Sequence, residues 1–488
     1  MGPSDLRSPV AQAAPPVLTA GGASSPPGRG DTARSVGMAA AAMAQNVVAL
    51  AFTVAFAHLL HKGGYSSLSA LIAALLILSL PGIALQVAAA RATALGHLGE
   101  GARLAATVRG WMQRAALAAA IAAVLGAALH VPLAGLIGVH EAWAAAAVLP
   151  SACIWLALSL ERGVLQGIGA YAQVGLSLPL EAAGRLAFGV GLVGLGGGVD
   201  GAFAGTPISQ ALTAVVLAVV LRRRLGPAGG ASSALALHAL AARAWAPVIG
   251  VTLLALLQNV DVIVVKHRVG ATDADAYSAA AVAGKAVMWL AVGLALFLVP
   301  ETARRDGAGR DARPLLLRML VIAAAAAVAM VAVYSLAGHL LLSVVFGARL
   351  TGSDTALPWL GIAFSALAGS YLIVQFLLAL GRARFLVVLA AGSVAVPAVL
   401  LIAPARLVSL AELLCIPMLL LLAGLALIAA RARTRPVGPA RPDGGAGAGG
   451  PPEAAAAPAP VRRGDATRRR QPGRTLAVPP RRPSGSVD

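Results

Sequence analysis

Long apolar runs separated by short polar interruptions make up most of this chain, and the runs are of membrane-crossing length. About 20 apolar residues traverse the hydrocarbon core of a bilayer. By that measure the pattern predicts twelve helices, near 36–60, 66–90, 113–138, 142–163, 172–196, 200–221, 244–265, 276–299, 314–338, 355–379, 383–403 and 406–430. Residues 1–35 are rich in Pro, Gly, Ser and Ala without an amphipathic period and read as a disordered tail. The expected organisation is therefore a first six-helix bundle over 36–221, a linker over 222–243, a second bundle over 244–430, and a disordered basic Pro/Gly/Arg-rich tail over 431–488.

Composition supports an all-α polytopic membrane protein. Hydrophobic residues make up 59% and charged residues 12%, with mean hydropathy +0.83. A soluble domain carries about a quarter charged residues. The net charge of +19 invites a nucleic-acid reading, but the charges lie in the tails and in alternate loops, which is a topology signal. With the N-terminus inside, the segments assigned to the cytoplasm hold Arg91, Arg103, Arg109, Arg114, Arg162, Arg222, Arg223, Arg224, Arg243, Arg304, Arg305, Arg310, Arg313, Arg318, Arg382 and Arg384. The opposite loops hold Lys62, Lys266, Arg268, Arg349 and Arg406. That bias predicts both termini in the cytoplasm, and the Ala and Gly richness with Arg in place of Lys suggests a high-GC bacterium.

The chain also repeats itself. Gln45-Asn46-Val47 recurs 213 residues later as Gln258-Asn259-Val260, Tyr65 aligns with Tyr277, and Arg91 with Arg304. Halves with an even number of crossings enter the membrane from the same side, so the repeats are parallel. Transporters of this design place substrate between the halves and rock them for alternating access.

Several stretches together resemble the MOP superfamily, which contains the multidrug (MATE) exporters, lipid II flippases and oligosaccharide flippases. They are Leu80-Pro81-Gly82 through Arg91, Arg162-Gly163-Val164-Leu165-Gln166-Gly167-Ile168-Gly169, and the Gly-rich run Gly194–Gly205. Asn259-Val260-Asp261 through Lys266-His267 and Tyr277 through Gly284-Lys285 complete the set. The likeness covers roughly 36–430 and is nearest to the polysaccharide-biosynthesis (Wzx-like) branch. It implies a pair of six-helix bundles around a central cavity and an amphiphilic, often lipid-linked substrate.

Ionisable groups at membrane depth are expensive and mark candidate sites. Asp261 lies roughly 24 Å up its helix and Lys285 roughly 14 Å below the outer face, at 1.5 Å per residue, so the two can meet. They are either a structural ion pair or a gate, in which an anion on Lys285 frees Asp261 for a coupling Na+ or H+. Gln45, Asn46, Gln258, Asn259 and Gln375 either line a polar cavity or join helices by hydrogen bonds. Arg91 and Arg304 either anchor the chain or attract anionic head groups at the cytoplasmic mouth. Glu181 and Arg185 have the i,i+4 spacing of a self-neutralising pair. The glycines at 189–205 follow no strand and precede no Lys-Ser/Thr, so close helix approach is expected of them. His58 and His61 lack the carboxylates of a metal site, and no catalytic or cofactor motif is recognisable. Cys153 and Cys415 sit in separate spans.

The expected function is movement of a polyprenyl-pyrophosphate-linked saccharide across the membrane, with membrane lipids and glycan-assembly enzymes as partners. Alternatives are a cation-coupled multidrug exporter and a non-transporting scaffold that works through its basic tail.

Overall fold

The computed structural model describes residues 29–227, 229, 240, 242 and 244–432. The described residues contain no strand. Twelve helices are long and apolar enough to cross a membrane, as the apolar pattern predicts. They are α1 (Arg29–Leu59), α2 (Gly64–Ala94), α3 (Gly101–Ala128), α4 (Ala142–Gly167), α5 (Tyr171–Gly194) and α6 (Gly198–Leu225). The second set is α7 (Trp245–Arg268), α8 (Ala271–Gly307), α9 (Arg313–Phe346), α10 (Leu357–Ala379), α11 (Phe385–Ile402) and α12 (Leu407–Arg431).

Boundaries differ from the sequence expectation where helices outrun their apolar segments. α1 begins at Arg29, so residues 29–35 of the expected tail are helical. α3 begins at Gly101, which puts Arg103, Arg109 and Arg114 on the exposed side of a helix. Its buried Leu104, Ala105, Val108 and Trp111 recur at helical spacing, so a buried stripe underlies those arginines. A short helix, His130–Ile137, fills the rest of the predicted third span. Residues 1–28, 433–488 and most of the expected 222–243 linker lie outside the described residues; Arg222, Arg223 and Arg224 form the last turn of α6.

The two sets of six repeat one pattern of helix contacts. In the first, α1 packs on α5, α2 and α3 on α4, and α6 on both α4 and α5. In the second, α7 packs on α11, α8 and α9 on α10, and α12 on both α10 and α11. Adding six to each number converts one set into the other. α4 and α10 are the equivalent central posts, and α10 is the most enclosed span, with 67% of its apolar window buried. Lipid tails are as apolar as leucine, so helices associate through close packing and small residues. The posts show it: a Cβ on Gly163 of α4 would lie 2.5 Å from the Gln86 carbonyl oxygen, and one on Gly361 of α10 would lie 2.8 Å from the Tyr334 ring.

Two spans are broken. In α2, Pro81 follows Leu80 and lacks the N–H that would continue the helical ladder. In α8 the two segments join at Lys285, immediately after Gly284. A Cβ on Gly284 would lie 3.1 Å from the Phe364 ring and 3.2 Å from Leu360, so glycine lets α10 approach the joint.

The Gly-rich run does bring α5 and α6 together, but only part of it. A Cβ on Gly205 would fall 2.5 Å from the Gly189 nitrogen and 2.7 Å from the Arg185 carbonyl oxygen, whereas one on Gly191 would meet nothing within 4 Å. Overpacking costs about 1–3 kcal/mol. Gly205→Leu should therefore lower the melting temperature in detergent by several degrees, while Gly191→Leu should leave it near the wild-type value.

Candidate functional site

A cavity of about 360 Å³ lies at mid-depth between the two sets of helices. α1 and α2 contribute Gln45, Phe52, Tyr65 and Ser79; α4, α5 and α6 contribute Trp155, Glu181, Arg185, Thr206 and Gln210. α7 and α8 contribute Gln258, Asn259, Lys285 and Trp289. α2 packs along α7 on one side of this space. The equivalent pair on the other side, α1 and α8, instead flanks the cavity.

The expected meeting of Asp261 and Lys285 occurs. Lys285 Nζ lies 3.3 Å from Asp261 Oδ1, and Tyr277 donates its hydroxyl to Oδ2 at 3.4 Å. The partners differ in access. Asp261 is fully buried behind the wall, while Lys285 is 14% exposed, lines the cavity and sits 4.9 Å from the Phe364 ring. A molecule in the cavity therefore meets the ammonium and not the carboxylate. The broken joint in α8 is what turns Lys285 toward both.

The first set of helices carries a second charged cluster that the i,i+4 reading misassigns. Glu181 makes no ion pair with Arg185. It faces Arg162 of α4 at 3.7 Å, and Arg162 is further held by Ser177, whose hydroxyl and carbonyl oxygens accept at 3.1 and 3.2 Å. Arg162 is 2% exposed and belongs to the interior of α4, not to a cytoplasmic loop as the charge count assumed. A neighbouring helix offers better geometry than the next turn of the same one. Arg185 is left over the Phe52 ring at 4.5 Å, without an ion pair among the described residues. A run of charges within neighbouring spans (Glu161-Arg162, then Glu181 and Arg185) was the available signal, because charges at that depth pair with one another or face a cavity.

The remaining candidates divide. Gln45, Gln258 and Asn259 line the cavity, although Asn259 also donates to the Ala255 carbonyl at 2.8 Å. Asn46 is exposed and outside the lining, and Gln375 lies outside it as well. Arg91 is exposed, and Arg304 is 70% exposed and paired with Glu301 at 2.6 Å; neither reaches the cavity lining. The two cysteines are free. The described residues hold no cluster of three or more metal-binding side chains.

The polar chemistry of the wall is uneven. Ser79 Oγ, Trp155 Nε1, Arg185 Nε, Thr206 Oγ1 and Gln210 Oε1 are buried without a hydrogen-bond partner among the described residues, and all sit on cavity-lining residues of the first six spans. The set mixes donors, an acceptor and hydroxyls that do both.

This architecture is that of the MATE-like fold. No protein-family model matches the chain, and no curated protein matches it either. Solved structures do. An inward-facing multidrug resistance MATE family transporter of the MOP superfamily superposes with a TM-score of 0.60 at 15% identity, covering 79% of this chain and 94% of the other. The lipid II flippase MurJ, in an inward closed conformation, gives 0.61 at 12% identity, covering 80% and 87%. A MOP superfamily transporter from Pyrococcus furiosus, described as having a binding pocket of reversed polarity, gives 0.55 at 15% identity, covering 82% and 94%.

The burial difference within the Lys285–Asp261 pair sets an order of stabilities. Removing one partner of a buried pair costs about 3–5 kcal/mol because the other charge is stranded. Lys285→Met strands the fully buried Asp261, whereas Asp261→Asn leaves an ammonium that can reach the cavity. Denaturation in detergent should rank Lys285→Met below Asp261→Asn, with the double variant recovering most of the loss.

Proposed function

We propose that the chain is a flippase that carries a lipid-linked, anionic saccharide from the inner to the outer leaflet of a bacterial plasma membrane by alternating access. The observation that carries this reading is the sign and polarity of the mid-depth cavity. It offers Lys285 from one half and Arg185 from the other, while Asp261 is turned away and Glu181 is engaged by Arg162. Cations in a low-dielectric recess favour a phosphate or pyrophosphate, and guanidinium suits its oxygens. The unpartnered Ser79, Trp155, Thr206 and Gln210 groups suit a ligand that both donates and accepts, as sugar hydroxyls do.

On this reading the head group enters the cavity and the lipid tail stays in the bilayer. At about 360 Å³ the cavity is near the lower end of the roughly 300–1,000 Å³ of ligand pockets, so it suits a small head group without its tail. An anion on Lys285 competes with Asp261 and frees that carboxylate for a coupling Na+ or H+. The termini face the cytoplasm, in line with the basic residues on that side, and glycan-assembly enzymes are the expected partners. A cation-coupled multidrug exporter is the second reading. It is favoured by the aromatic surfaces of Phe52, Tyr65, Trp155 and Trp289 beside Glu181 in the same cavity.

Proteoliposomes separate the two readings. Loaded with a fluorescent polyprenyl-pyrophosphate disaccharide, they should show flipping that falls at least about tenfold in Arg185→Ala and Lys285→Ala, equivalent to about 1.4 kcal/mol. Normal insertion of both variants is the control. Retained flipping in both would remove the anion site, and selective export of a lipophilic cation would establish the second reading.

A further inference from the structure

The two halves meet by polar contacts at the face of the bundle where α1 turns into α2 and α7 into α8. α2 starts there without a cap of its own: Gly63 precedes it at φ 81°, and no side chain at that position bonds its first turn. A helix leaves four amides unpaired at its start. Two of them are satisfied from the other half. Asp275 of α8 accepts from the Gly63 N–H and the Ser66 N–H, each at 2.7 Å, and is 2% exposed. Lys266 of α7 completes the arrangement, donating from Nζ to the Gly63 carbonyl at 3.0 Å and to Ser66 Oγ at 2.7 Å.

A second contact surrounds the first and is reciprocal. His58, in the last turn of α1, lies against Gly347, the left-handed residue (φ 90°) that ends α9. His267, in the last turn of α7, lies against Gly138, the left-handed residue (φ 82°) that ends the short helix after α3. Each half thus seats its histidine on a glycine of the other. A Cβ on Gly138 would fall 2.7 Å from His267 Cε1, and one on Gly347 would fall 3.2 Å from His58 Nε2. His267 Nε2 also lies 2.9 Å from the Gly135 carbonyl oxygen, and Arg349 donates to the Ala57 carbonyl at 2.8 Å.

We infer that this cap in trans, with its two histidine seats, is the latch that closes the cavity to this face, and that opening requires Asp275 to leave the first turn of α2. Hydrogen bonds to an ionised carboxylate are about twice as strong as neutral ones, so the closed state is well held. The groups it releases sit at a loop face, where water replaces the lost partners, so the latch is reversible. The glycines set the fit of the seats, since any side chain there pushes a histidine out. Gly138 and Gly347 already hold left-handed conformations that other residues rarely adopt. The inference rests on the alternating-access part of the proposed function and is independent of the substrate.

The test is accessibility of a cysteine inside the cavity. Val282→Cys, at a half-buried lining position of α8, is placed in a Cys153→Ala/Cys415→Ala background and exposed to a membrane-impermeant maleimide from the latch face. Labelling should be slow in the parent and about tenfold faster in Asp275→Ala and in Gly138→Ala, the factor that corresponds to about 1.4 kcal/mol. Gly135→Ala, whose Cβ would enter open space, should label like the parent. If Asp275→Ala fails to insert, a Gly63→Cys/Ala271→Cys pair supplies the second measurement, since a Cβ built on Gly63 lies 3.1 Å from Ala271 Cβ. Its oxidation should suppress labelling of Val282→Cys and its reduction should restore it. Equal labelling in the parent, Asp275→Ala and Gly138→Ala, or labelling indifferent to the cross-link, would overturn the latch. Faster labelling in a protein that flips no saccharide would keep the latch and reject the substrate reading.

Discussion

An ionised side chain at membrane depth has no bulk water to solvate it, so it needs a partner or a wet recess. The pair formed by Lys285 and Asp261 meets this requirement unequally, and much of the molecule follows from that inequality. Asp261 is enclosed by α7 and α8, with Tyr277 on its second oxygen. Lys285 sits at the break in α8 and keeps a face on the cavity. The pair is neutral as a whole yet presents a cation to anything between the halves. Neutralising the two groups by symmetric burial would have left no charge to read.

The duplication supplies the frame but not the chemistry. Both halves use the same helix pairings around a central post, so the frame is set twice by one pattern of packing. The polar residues diverge. The second half places its charges on α7 and α8, whereas the first places Arg162, Glu181 and Arg185 on α4 and α5. The cavity is therefore bounded by two unlike walls, one with unpartnered hydrogen-bonding groups and one with a paired lysine. The contacts where α1 turns into α2 and α7 into α8 are also shared unequally. The histidine seats are reciprocal, but among the described residues only α2 receives a helix cap from across the interface. A parallel repeat of this kind makes two similar frames that meet through unlike contacts.

Closure at one face and a cavity at mid-depth are linked by α2, α7 and α8. The residues that cap and latch, Ser66, Lys266 and Asp275, share those helices with the cavity residues Tyr65, Asn259 and Lys285. Separation of the halves at the latch cannot leave the cavity walls where they are. Chemistry between the halves and geometry at the face are two ends of the same three helices.

By itself the sequence determined the number of apolar spans and the repeat, because span length and hydropathy are local properties of the chain. It also determined that Asp261 and Lys285 could meet, since both lie at fixed rises on consecutive helices. Side-chain partners were settled only by tertiary structure. Glu181 pairs with Arg162 and not Arg185 because α4 brings its guanidinium against the stretch of α5 that carries both Ser177 and Glu181. Asn46 and Gln375 lie outside the cavity lining because helix rotation, which an all-round apolar helix does not encode, decides which face looks inward. The cap on α2 is the clearest case: nothing near Gly63 in sequence announces it, because its carboxylate is 212 residues away.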